Sequence, residues 1–187
     1  MDAVTLDPAA FDPALERARY QARRPLLDRL AALRAELAPG IFLQPETAES
    51  VADQVRETLW AEGRTPEACE PSELAEVQGA FALLSPRRES EGWSVAATLM
   101  LGVAPSAREA RLRALEGLPH QLVLELEDGR RVAPLVDRSL APEDGRLPAV
   151  LALRWEVPDG AAPSAFVSES PALRGRWPAP TLPAWIA

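Results

Sequence analysis

Hydrophobic side chains recur at helical spacing near the start of the chain: Phe11, Leu15, Ala18 and Ala22, then Leu26, Leu30, Leu33 and Leu37. Pro25 lies between the two sets, where it either opens a second helix or kinks one long helix. Pro39-Gly40 is expected to stop it. The spacing predicts a further helix over about 47–62, with a buried stripe of Ala48, Val51, Val55 and Leu59 and Gly63 as its end cap. Residues 64–72 read as turn, 72–84 as a weaker helix interrupted by Gly79, and 86–92 as a charged loop.

The pattern then changes. Trp93 to Val103 is apolar and uncharged, as expected of a central strand buried on both faces. Ser106 and Glu109 have the spacing of a capping box that opens a short helix, closed by Gly117. Residues 121–127 alternate, with Leu122, Leu124 and Leu126 on one face, and Asp128-Gly129 signals a hairpin into a partner strand over 130–136. A loop over 141–148 leads to a last strand, Ala149 to Val157.

These elements predict one α+β domain over 1–157, with N-terminal helices (11–84) followed by a sheet part (93–157). The sheet is expected to be four-stranded and mainly antiparallel, with one crossover helix and helices covering one face. Residues 158–187, rich in Pro, Ala and Ser, are expected to run as an extended tail.

Composition narrows the function classes. The chain of 187 residues, 47% hydrophobic and 26% charged, is long enough for one folded core. All 20 basic residues are Arg, a uniform choice that fits a coding bias better than selection for phosphate binding. Of the net charge of −8, −7 falls in residues 41–91, which hold 11 acidic and 4 basic side chains. That argues against nucleic acid or an anionic membrane as partner and offers a complement to a basic protein. A lone cysteine, Cys69, excludes an intramolecular disulfide. Without a signal-like start or an apolar run near the length of a membrane span, the cytoplasm is the expected compartment.

Candidate chemistry is sparse. His120 is the only histidine and Cys69 sits between Glu67 and Glu70, so neither a histidine-based triad nor a zinc site is expected, and no cofactor is implied. Glu49, Asp53 and Glu57 recur every four residues on the third predicted helix. Such a column could hold a hard cation, but a solvated helix face is the expected state and no metal site is assigned. Trp60 falls on the same side, either packed or standing as a partner anchor. At the C-terminus, Trp177 and Trp185 are interleaved with Pro178, Pro180 and Pro183, a segment that either packs back or docks into a partner.

Residues 26–157 also resemble an uncharacterised bacterial domain-of-unknown-function family, often encoded beside rubrerythrin-like proteins and iron–sulfur oxidoreductases. The resemblance is carried by Glu46, Ser50, Val51, Gln54, Val55, Glu57 and Leu59, where the family shows a helix entered through Phe-Glu-Asn-Arg and containing Gln-x-x-Glu. It continues in Ala97-Thr98-Leu99, Ala149-Val150 and Leu153-Arg154-Trp155. Ala48 stands where the family usually has Arg, and Leu151 where many members have His. The resemblance implies a redox or stress setting and no particular reaction.

The first expectation is thus a non-enzymatic accessory protein, binding a partner such as a rubrerythrin-like or iron–sulfur protein through Glu49, Asp53, Trp60, Trp177 and Trp185. The alternative is a small enzyme or ligand-binding domain with a pocket between sheet and helices, its polar groups being Gln54, Glu57 and Arg154.

Overall fold

The computed structural model describes residues 13–64, 66–89, 92–136 and 147–179. Helix α1 spans Pro13–Leu33 with Pro25 inside it, so of the two alternatives at Pro25 the single long helix is the one that forms. Leu37 does not continue it. Ala35–Ala38 is strand β1, which pairs with β2, Ile41–Pro45. Pro39-Gly40, expected as a helix stop, is the turn of this hairpin. Gly40 has φ +76°, and a Cβ there would come 2.5 Å from the Gly102 carbonyl oxygen, so only glycine fits the crossing.

Helix α2 runs from Ala48 to Ala61. Thr47 caps it: its Oγ1 accepts from the Ser50 amide at 3.1 Å, while its own amide donates to Ser50 Oγ at 2.8 Å. Val51, Val55 and Leu59 are buried as the spacing predicts, but Ala48 is exposed. Helix α3, Pro71–Ala80, ends four residues short of the prediction, and none of its residues is buried.

β3 (Arg88–Glu89) leads into β4, Gly92–Leu101, buried at every position except Met100. Pro105–Ala107 forms a 3-10 turn before α4 (Arg108–Ala114), and Ser106 does not cap that helix. A short α5, Leu118–Gln121, follows directly. β5 (Leu122–Leu126) turns at Asp128-Gly129 into β6 (Arg131–Val132), as the alternation foretold. The predicted return strand then divides: β7 (Leu135–Val136) leaves to pair with β8 (Val150–Pro158).

The expected single four-stranded sheet is replaced by two antiparallel sheets. One has six strands, in the order β1-β2-β4-β8-β7 with β3 beside β4. The other is four-stranded, β10-β9-β5-β6. Its outer half comes from the segment expected as an extended tail, because β9 (Pro163–Ser170) and β10 (Leu173–Pro178) form a hairpin. α4 and α5 therefore carry the chain between sheets and are not a crossover within one.

The core lies where the two sheets meet. Ile41, Leu43, Val95, Leu99, Leu153 and Trp155 of the first face Leu122, Leu124, Leu126 and Phe166 of the second. Trp155 and Phe166 pack with ring centroids 5.2 Å apart, and the Trp155 indole N–H donates to the Leu122 carbonyl at 3.1 Å. Strand alternation puts Gln44, Ser94, Thr98 and Arg154 on the opposite face of the first sheet, all buried. That polar face is where α1 and α2 sit.

Candidate functional site

Three arrangements on the helical side could carry function. The first is a buried carboxylate. Glu46, just past β2, keeps its strand-like amide bond to the Ala96 carbonyl at 2.9 Å and is 3% exposed. Its Oε2 accepts from Ser50 Oγ at 2.6 Å and Gln54 Nε2 at 2.8 Å, and its Oε1 from Thr98 Oγ1 at 2.6 Å. Burial holds the carboxyl above the ordinary glutamate range, against the downward pull of the Ser50, Thr98 and Gln54 hydrogen bonds. Every oxygen lone pair in use is spent on a neighbour, so the cluster locks α2 to β4.

The second arrangement is the acid column. Asp53 is buried and receives Arg23 of α1 in a fork, Nε to Oδ1 at 3.0 Å and Nη2 to Oδ2 at 2.8 Å. Arg23 Nη1 also reaches Glu57 Oε2 at 2.6 Å, and Arg29 Nη2 reaches Glu49 Oε2 at 2.6 Å. These carboxylates hold the Arg23 guanidinium above its ordinary range, Asp53 most of all, against the opposing effect of burial. Arg19 lies 4.7 Å over the Trp60 ring. The column expected as a solvated face thus meets the chain's own first helix. Among the described residues no group of His, Cys, Asp and Glu converges to hold a metal ion.

The third is an open cleft of about 540 Å³ between α2 and α3. Val51, Ala52, Val55, Pro66 and Leu74 make its apolar wall, and Arg56, Gln78 and Ser85 are its polar groups. Ala48 lies at the end of the same wall. The volume is that of an ordinary small-molecule site.

The sequence-predicted residues are dispersed over this framework. Gln54 serves Glu46, Glu57 serves Arg23, and neither lines the cleft. Arg154 sits on β8 with Nε 2.7 Å from Glu156 Oε1. Trp177 lies on β10, half-buried against the core, its ring over Gly175, where a Cβ would come within 2.5 Å. Trp185 lies outside the described residues. Sequence reasoning missed Arg56, although it is one of only 4 bases in the acidic stretch, and used Glu46 and Ser50 only for the resemblance. His120 is exposed on α5 and Cys69 is half-buried.

Residues 13–173 match the family described as protein of unknown function (DUF3501). The chain belongs to this family. Membership agrees with the uncharacterised bacterial family that the sequence resembles. A crystal structure of a novel protein of unknown function from Burkholderia pseudomallei is similar at a TM-score of 0.69 and 20% identity, covering 92% of this chain and 93% of that one. At that identity the likeness speaks for the fold. No curated protein matches the chain. Of the two family departures, Ala48 lies on the cleft wall and Leu151 is buried between the sheets. No described helix of this family member is long and apolar enough to cross a membrane.

Proposed function

We propose that this protein is a binding domain whose site is the cleft between α2 and α3, taking a small apolar or amphipathic ligand. The observation that carries this reading is the cleft itself, walled by Val51, Ala52, Val55 and Leu74 beside a helix, α3, that buries none of its residues. A concave site with an apolar wall and few polar groups is the common form of a ligand pocket. Of the described residues first expected to bind a protein, Asp53 meets Arg23, Glu49 meets Arg29 and Trp177 packs against its own core. The test is a titration with the neutral fluorophore N-phenyl-1-naphthylamine. Saturable enhancement that disappears in Ala52→Trp, which fills the exposed end of the wall, supports the site. Enhancement equal in both proteins removes it.

A second reading keeps the accessory role. Glu73 and Glu76 are exposed on α3, in the most acidic part of the chain, and would suit a basic partner protein. The resemblance makes an iron–sulfur or rubrerythrin-like protein the first candidate. Co-purification from the host tests it: a stoichiometric redox companion lost on Glu73→Arg/Glu76→Arg supports it, and a chain that purifies without one counts against it.

A further inference from the structure

We propose that the ligand of the α2–α3 cleft is an amphipathic carboxylate, an apolar body bearing one terminal carboxylate that is held by Arg56. This inference deepens the binding reading and rests on it.

Arg56 is half-buried and lines the cleft, four residues on from Ala52 and thus on the same side of α2. The acids elsewhere on that helix are taken: Asp53 and Glu57 by Arg23, and Glu49 by Arg29. Arg56 makes no hydrogen bond or ion pair among the described residues. It therefore differs from the other arginines around α2, Arg23, Arg29 and Arg64, each of which meets a carboxylate. An arginine in this position lays its methylene stem along the apolar wall and keeps its fork of donors for a ligand. That fork matches a carboxylate in shape and charge. Gln78 and Ser85 line the same space. The Ser85 hydroxyl donates to the Phe81 carbonyl at 3.2 Å, so its remaining capacity there is as an acceptor.

The surrounding charge selects a single negative charge over two. Along 62–78, the segment that supplies Pro66, Leu74 and Gln78 to the cleft, Glu62, Glu70, Glu73 and Glu76 outnumber Arg64, and Arg87 follows Pro86 on the other side. A monoanion neutralises Arg56, whereas a phosphate monoester brings a charge of about −1.5 to −2 into an acidic field. An apolar wall and one cation thus fit an organic carboxylate better than an alcohol, an amine or a phosphate ester.

The experiment is calorimetric titration of the full chain with octanoate, 1-octanol and octyl phosphate, repeated on Ala52→Trp and Arg56→Gln. Octanoate is expected to bind at a single site, more tightly than octyl phosphate. Arg56→Gln is expected to weaken octanoate by about tenfold, the loss of a charge-assisted pair, and to weaken 1-octanol, which loses only contact with the arginine stem, by clearly less. Octanoate binding unaltered by Arg56→Gln, or octyl phosphate binding tighter than octanoate, overturns the carboxylate assignment while the cleft stands, provided Ala52→Trp still blocks it. Octanoate that fails to bind also overturns the assignment. Binding unaltered by Ala52→Trp removes the cleft and the assignment together. Circular dichroism checks the fold of each variant, and Ala48→Phe replaces Ala52→Trp if that chain does not fold.

Discussion

The Arg23 guanidinium grips the carboxylate of Asp53, 30 positions along the chain, through Nε at 3.0 Å and Nη2 at 2.8 Å. This contact ties α2 to α1, a helix on which Leu26 is the one buried hydrophobic residue among those described. It also cancels charge that the sequence alone leaves free for a partner.

Removing Arg23 should therefore cost more than a surface ion pair. Asp53 is only 4% exposed, and Arg23→Ala strands its charge against the protein interior. A loss of about 3 kcal/mol in urea unfolding is expected, on the scale of a broken buried pair. Asp53→Asn in the same background should recover part of it. Equal stability of wild type and Arg23→Ala would show that α1 does not depend on this clasp.

Glu46 gives the fold a pH dependence of definite sign. Burial holds its carboxyl above the unfolded value, so the native state keeps a proton that the unfolded chain releases. Its contribution is fully present below the unfolded glutamate range and is lost as pH rises through the raised native value. Glu46→Gln should flatten that decline in urea unfolding measured from acid to mildly alkaline pH. Parallel profiles for the two proteins would contradict the assignment.

The hairpin of β9 and β10 is part of the core, and Phe166 tests this. The ring is fully buried and packs on Trp155, so Phe166→Ala should cost about 3–5 kcal/mol, measured by chemical denaturation. A chain ending at Pro158 should fail to give cooperative unfolding. An ordinary transition for that truncated chain would restore the picture of a dispensable tail.

Locally coded features were legible in the sequence. Val51, Val55 and Leu59 show the helical period, Leu122, Leu124 and Leu126 the strand period, and Asp128-Gly129 its turn. Leu37 was misread because a residue four after Leu33 fits a helix as well as a short strand with Ala35, and only pairing with β2 decides. β9 was hidden by its small and polar residues, Ser164, Ser168 and Ser170 among them, which read as loop until both neighbours pair with it. The sites were less legible still. Thr98 stands 52 positions from the carboxylate it serves. The cleft exists only once α2, α3 and residues 85–86 are brought together.

The most direct test of the binding site is a backbone amide NMR spectrum of the full chain, recorded with and without octanoate. Shifts centred on Val51, Ala52, Val55, Arg56, Leu74 and Gln78 are the predicted result. Shifts centred elsewhere, or none at saturating octanoate, would contradict the cleft as the site of binding.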